Sequence, residues 1–304
     1  MKKIPKDARI MSISHNDFDG VTCQIVLGCV FENIKYISAS FYNVDDILES
    51  VEYDKYDYVF LTDICPNDKS KLDLSPKIIL LDHHETSSEL FDETKLRLID
   101  TKHCGAWITK AFLEHMYGEK LSQLDELVRL ANDYDMWHLT DPKSKQMNDV
   151  MFYMYRAHKF RQAFADGRSE FNQAELDFLK ERENHIEKLY DDLEVYDLST
   201  VQGCVTYQPE CMNELAEKLY QEEGYPIVII RNNKSGRCSI RCHIDGFNAG
   251  KLAEKISEKG GGHADSAGFW SESEKDFLNK VGLIEEHLHR NFPDLRRKQN
   301  ADAG

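Results

Sequence analysis

Three separated stretches of this sequence close an apolar run with side chains that bind cations or move protons. Residues 10–14 lead into His15-Asn16-Asp17-Phe18-Asp19-Gly20, residues 59–62 into Asp63, and residues 78–81 into Asp82-His83-His84. A fourth cluster, Asn132-Asp133-Tyr134-Asp135, follows a helical pattern at 122–131, and Asp133 is favoured over Asp135 as its contributor. Carboxylates and imidazoles without thiolate suit Mn2+, Mg2+, Co2+ or Fe2+ better than a structural zinc ion. Two such ions about 3.5–4 Å apart can clamp an in-line displacement at phosphorus and activate water at neutral pH. Asp63, the lone acid after its strand, is placed to bridge them. Asp17 and Asp19 share one face if the strand continues; on a turn into a helix they fan around two cation positions, with Gly20 relieving the backbone.

Side chains so far apart in sequence meet only if their elements put them on one edge. The first half alternates strand signals (9–14, 35–41, 56–62, 77–81, 96–99) with helical patterns (21–31, 45–51, 105–117, 122–131). Short apolar strands between helices predict an α/β fold, a parallel sheet with helices on both faces. The carboxyl ends of such strands share the edge where open α/β folds bind ligands. The expected organisation is a catalytic metal-binding domain at 1–150, a helical connector at 151–197, a smaller C-terminal α/β domain at 198–292 and a flexible tail at 293–304.

The chain has 304 residues, and domains usually run to roughly 100–200, so two are expected. No apolar run approaches the ~20 residues that cross a bilayer, and Met1-Lys2-Lys3 has no apolar segment behind it, so a cytoplasmic location is expected. The eight cysteines are scattered and are read as reduced thiols; Cys238, Cys242 and His243 lack a second ligand pair for zinc. Acidic residues number 54 against 38 basic ones, a net charge of −16. Proteins that track long nucleic acid usually present a basic stripe, so the balance argues for a short substrate, and the lack of a long apolar run for no membrane partner. The cluster Arg156, His158, Lys159, Arg161 and Arg168 reads as a solvated helix face, with receipt of substrate phosphates as the alternative, Trp107, Trp137 and Trp270 as core, and His103-Cys104-Gly105 as support behind the site at most. Phe18, Phe247 and Tyr134 are open candidates for stacking on a base.

The order His-x-Asp-x-Asp-Gly, lone Asp, Asp-His-His and helix-end Asp resembles the four motifs of the DHH phosphoesterases. Gly260-Gly261-Gly262-His263 with Ser266-Ala267-Gly268 resembles the glycine-rich motif of the DHH-associated C-terminal domain, and Ser239-Ile240-Arg241 its arginine-bearing strand. The likeness spans residues 9–270 of a family that includes nano-RNases, RecJ-type exonucleases and nucleotide phosphatases. It implies that His15 and Asp17 bind one metal, that Asp19, His83 and Asp133 (or Asp135) bind a second, and that Asp63 is shared. It further implies that His84 contacts the scissile phosphate or protonates the leaving oxygen. Arg241, His263 and the backbone of Gly260, Gly261 and Gly262 would hold substrate from the second domain. Lys259 stands where many relatives carry another glycine.

The expected function is therefore a two-metal phosphodiester hydrolase, Mn2+ foremost with Mg2+ or Co2+ as alternatives, degrading short oligonucleotides to mononucleotides. Alternatives are a cyclic mono- or dinucleotide phosphodiesterase, a 3′,5′-bisphosphate nucleotide phosphatase, a RecJ-like single-strand exonuclease, or a nucleotide-binding module without turnover. A homodimer stays open.

Overall fold

In a computed structural model of the chain, residues 3–297 are described. They divide into two compact units, Met1–Lys180 and Glu181–Gly304. In the first, strands β1 (Arg9–His15), β2 (Asn33–Ala39), β3 (Tyr58–Thr62), β4 (Ile78–Asp82) and β5 (Arg97–Ile99) form a sheet in the order β2-β1-β3-β4-β5, every pair parallel. Alternation along the strands sorts the core to two faces. Ile10, Phe60, Ile79 and Leu81 pack against α1 (Phe18–Gly28), α3 (Gly105–Tyr117) and α4 (Asp125–Asp135). Met11, Ile13, Val59, Leu61, Ile78 and Leu80 face α2 (Val44–Ser50) and the short turn Lys69–Asp73.

The stretch expected as a connector from residue 151 is divided. A π-helical turn, Val150–Tyr155, joins α5 (Pro142–Asp149) to α6 (Arg156–Ala163), and Met151, Phe160 and Phe164 lie in the core of the first unit. Arg161 is likewise no free surface cation: it donates to Gln24 Oε1 at 2.6 Å and lies over the Tyr36 ring. The next helix, α7 (Gln173–Asp191), carries the chain from one unit into the other.

The second unit is a six-stranded mixed sheet in the order β10-β11-β9-β8-β7-β6. Its strands are β6 (Val195–Asp197), β7 (Cys204–Tyr207), β8 (Ile227–Arg231), β9 (Arg237–Cys242), β10 (Gly261–Gly262) and β11 (Ser266–Trp270); only β7 and β8 pair in parallel. Helix α8 (Met212–Glu223) covers one face, and α9 (Ala249–Ile256) and α10 (Glu274–Asn291) the other. Helix α10 lies beyond the last element expected from sequence, although Phe277, Val281, Ile284 and Leu288 form its buried stripe. Of the expected tail, Pro293–Leu295 makes a turn and Arg296 bridges Val201, while residues 298–304 lie outside the described residues. The eight cysteines are free thiols, and among the described residues no helix is long and apolar enough to cross a membrane.

Candidate metal centre

The carboxyl ends of β1, β3 and β4 deliver their polar residues to one place. His15 is the last residue of β1, and Asp17 caps α1, its Oδ1 accepting from Gly20 N at 2.9 Å. Gly20 is obligatory here, since a Cβ would lie 2.2 Å from the His15 carbonyl oxygen. Asp19 turns inward from the first turn of α1, where the N-terminus of α3 receives it: Gly105 N and Ala106 N donate to its two oxygens at 2.6 and 2.9 Å. Such orphan amides at a helix start favour an anion. Asp63 follows β3 in a left-handed conformation, φ 58°, with its amide donating to Leu81 O across the sheet. Aspartate tolerates that region better than most residues, and the turn sends its carboxylate into the cluster, 1% exposed.

His15 Nδ1 lies 2.5 Å from Asp17 Oδ2 and 3.9 Å from Asp63 Oδ2. His83 Nε2 lies 3.1 Å from Asp63 Oδ1 and 3.3 Å from Asp135 Oδ2. Two groups thus have ligand atoms close enough to surround a cation: His15, Asp17 and Asp63, and Asp19, His83 and Asp135; Asp63 also groups with His83 and His84.

One expected residue does not join them. Asp133, favoured from sequence, turns away from the cluster. Its carboxylate accepts from Thr140 N at 3.0 Å, Thr140 Oγ1 at 2.5 Å and Asp141 N at 3.2 Å, fastening the loop after α4. Asp135, the alternative, is the residue beside His83. Of the glycine run, Gly260 differs from expectation. The Gly260 amide already donates to Ser257 O at 2.8 Å, and a Cβ there would sit 1.9 Å from Ala253 O, so this glycine serves a close approach to α9. Gly261 and Gly262 pair with Gly268 and Ala267, and around Gly261 there is open space. Arg241 stands opposite Ser266 on β11, and His263 is exposed, its amide donating to Ser266 O. The three tryptophans expected in the core are all partly exposed, at 41%, 47% and 37% for Trp107, Trp137 and Trp270.

Electrostatics make the cluster a poor home for bare carboxylates and a good one for cations. Burial, reinforced by the charges of Asp19, Asp17 and Asp135, pushes the Asp63 carboxyl well above its usual range. Burial and the charges of Asp19, Asp17 and Asp82 carry Asp135 to about 9. For Asp17 burial acts upward too, but the hydrogen bond and charge of His15 prevail and hold it at about 2. Burial lowers His83, favouring the neutral ring that a cation needs as a ligand. The Oδ2 atoms of Asp63 and Asp135 are buried without a hydrogen-bond partner, a costly arrangement that a divalent ion would relieve. The donor set, its charge and these orphaned oxygens fit a pair of divalent ions. Gly105 stands as a wedge behind them: a Cβ would meet Asp63 Cβ at 2.7 Å and Asp19 Oδ2 at 2.9 Å. Gly105→Ala should therefore weaken Mn2+ binding at least about tenfold in an equilibrium titration, the scale of a lost supporting contact; unchanged affinity would mean the wedge is slack.

The family model described as DHHA1 domain matches residues 201–287. Oligoribonuclease NrnB of Bacillus subtilis is 25% identical over 286 residues, covering 84% of this chain and 71% of that protein. The chain is similar to the DHH phosphoesterases and carries a DHHA1 domain over residues 201–287. A second relative, a 3′,5′-cyclic-nucleotide phosphodiesterase of Helicobacter pylori, is 24% identical over 211 residues, 62% of this chain and 57% of that protein. The chain thus spans little more than half the length of this relative. RecJ from Thermus thermophilus, solved with Mn2+, shares the fold at a TM-score of 0.61 and 16% identity, covering 94% of this chain and 52% of RecJ.

Proposed function

We propose that this chain is a two-metal hydrolase that cuts phosphodiester bonds in short oligonucleotides, releasing mononucleotides. The observation that carries the reading is the pair of acid and imidazole groups joined through Asp63. In this reading His15 and Asp17 hold one ion, Asp19, His83 and Asp135 hold the other, and Asp63 is shared. Mn2+ is the favoured ion, with Mg2+ or Co2+ able to replace it, because the donors are oxygen and imidazole nitrogen throughout. Bound there, the ions would withdraw charge from phosphate oxygens and acidify water.

The remaining work falls to the chain itself. His84 Nδ1 is held at 2.8 Å by Asp82 Oδ1. Burial opposes protonation of His84, but the Asp82 hydrogen bond and charge outweigh it and raise its pKa. An imidazole oriented through one nitrogen, with its protonated form favoured by Asp82, is suited to give its other proton to a leaving oxygen. In the second unit, Arg241 and His263 beside the glycine run are proposed to hold substrate phosphate or sugar, Arg241 by paired hydrogen bonds.

Length preference follows from charge. With 54 acidic and 38 basic residues, the chain gains little from each added phosphate of a long strand. That balance suits an enzyme acting on oligonucleotide remnants. With Mn2+ present, a labelled RNA dinucleotide should be turned over with a kcat/KM at least about tenfold above that for a strand of about 20 nucleotides. A chelator should abolish both reactions, and preference for the long strand would refute the reading. The likeness to the cyclic-nucleotide enzyme supports a second reading, hydrolysis of a cyclic nucleotide. Mass analysis of products from parallel incubations separates the two.

A further inference from the structure

We propose that Phe41 is the platform on which a base of the substrate stacks, an assignment that rests on the oligonucleotide reading above. Strand β2 ends at Ala39, and four residues, Ser40-Phe41-Tyr42-Asn43, lead into α2. Both shoulders of this turn are fixed. Asn43 Oδ1 accepts from Ser40 N at 2.7 Å and Ser40 Oγ at 3.1 Å, while Asn43 N and Val44 N donate to Ser40 O. A third tie reaches the segment beyond β3, where Asn67 Nδ2 donates to Phe41 O at 2.7 Å and Asn67 N to Asp45 Oδ1 at 2.8 Å. The backbone carrying Phe41 is thus set before any ligand arrives.

The ring stands between the two histidines that flank the cluster. Its centroid is 5.1 Å from the His15 ring and 5.7 Å from the His84 ring, the latter edge-on. Even so, Phe41 is 43% exposed. Exposure alone does not mark a site, since Phe91 is 53% exposed; what distinguishes Phe41 is its place against both histidines. Here an apolar ring is held beside the acidic cluster that would bind the ions, where the non-phosphate part of a nucleotide would lie. Every base offers a flat π-face, so stacking there would anchor substrate with little regard to sequence.

The aromatic residues that sequence suggested for this task are otherwise engaged. Phe18 and Phe247 belong to the two hydrophobic cores, and Tyr134 packs against the first core while its hydroxyl accepts from Asn148 Nδ2. Among the described residues, no other ring is in contact with both His15 and His84.

The test compares Phe41→Ala, Phe41→Tyr and Tyr42→Ala on an RNA dinucleotide and on the same dinucleotide with each base in turn replaced by an abasic sugar. Phe41→Ala should raise KM for the intact dinucleotide about 5- to 150-fold, the range of one lost base–aromatic stack, with kcat changed far less. Phe41→Tyr should restore KM. Removing the stacked base should cost the wild type a similar factor and the alanine variant almost nothing. Tyr42→Ala, at a position 99% exposed, should stay within about twofold. Equal losses on intact and abasic substrates would make Phe41 a prop for His15 and overturn the assignment, as would equal losses at 41 and 42 or an unchanged KM in Phe41→Ala. Should the wild type fail to cut dinucleotides at all, it is the oligonucleotide reading that falls.

Discussion

Replacing Asp63 by asparagine should silence the protein and make its metal-free form harder to melt. Both effects have one cause. The carboxylate lies buried among Asp19, Asp17 and Asp135, where a negative charge is disfavoured until cations arrive. Asparagine keeps the shape and tolerates the left-handed backbone at φ 58°, but offers no charge to share between two ions. Loss in kcat/KM should be at least about 100-fold, the scale on which a single preorganised electrostatic partner is missed. Wild-type protein in Mn2+ at about 100 times its dissociation constant gains about 2.7 kcal/mol, or roughly 5–10 °C in melting temperature for a unit of this size. The variant should lose most of that gain while its metal-free melting point rises by about 3 °C. A lower metal-free melting point, or activity retained, would count against the cluster.

The pH dependence of the metal-free protein has a definite sign. In the unfolded chain these carboxyls release their protons near pH 4. In the folded state Asp135 holds its proton to about pH 9, and Asp63 is raised as well. Between those limits the native state binds more protons than the unfolded one, so stability falls as pH rises and the penalty is complete only above the folded pKa. Melting curves from pH 5 to 9 should show this slope in wild type, a shallower one in Asp63→Asn, and its disappearance with Mn2+.

The neighbouring acids Asp133 and Asp135 should respond to the same chemical change in opposite ways. Asp135→Asn removes a carboxylate from the His83 group, and activity should fall about 100-fold with no loss of metal-free stability. Asp133→Asn removes a charged acceptor that Thr140 and Asp141 use to close the loop after α4. Hydrogen bonds to a charged group contribute about 1.5–3 kcal/mol, so a melting point lower by roughly 5 °C is expected, with activity per folded molecule close to wild type. Burial alone would raise the Asp133 carboxyl, but Thr140 and Ser144 outweigh it and bring it to about 2. Its stabilising share is therefore present above about pH 4 and lost as pH falls towards 2. Chemistry lost at 133 and stability lost at 135 would reverse the assignment drawn from the geometry.

Why sequence favoured the aspartate that turns away from the cluster is a matter of helical phase. Residues 133 and 135 sit roughly 200° apart on α4, so only one can face the cluster. Which one depends on how α4 rolls against α1 and α3, information held in packing rather than in local pattern. The strand-end residues were easier to read because a parallel sheet brings its carboxyl ends to one edge whatever the details. His15, Asp63 and His83 needed only that rule and the apolar runs preceding them. Phe41 was hidden by the same logic. It sits at the end of a run that reads as strand to residue 41, whereas β2 stops at Ala39 and the next residues turn outward. Helix α10 left a legible apolar stripe at Phe277, Val281, Ile284 and Leu288, to which no element was assigned from sequence. The glycine run shows a further limit. Sequence reveals small residues, but only the approach of Ala253 O to residue 260 shows that one of the three is needed by the fold itself.

The backbone at Asp63 also constrains how this gene can drift. A left-handed residue at the end of a buried strand accepts aspartate, asparagine or glycine with little strain and penalises bulky or β-branched replacements. Of the three, only aspartate is acidic. Mutation at this codon therefore tends either to keep the chemistry or to leave a sturdy, well-expressed chain that has quietly lost it, and neither yield from cells nor resistance to heat would betray the difference.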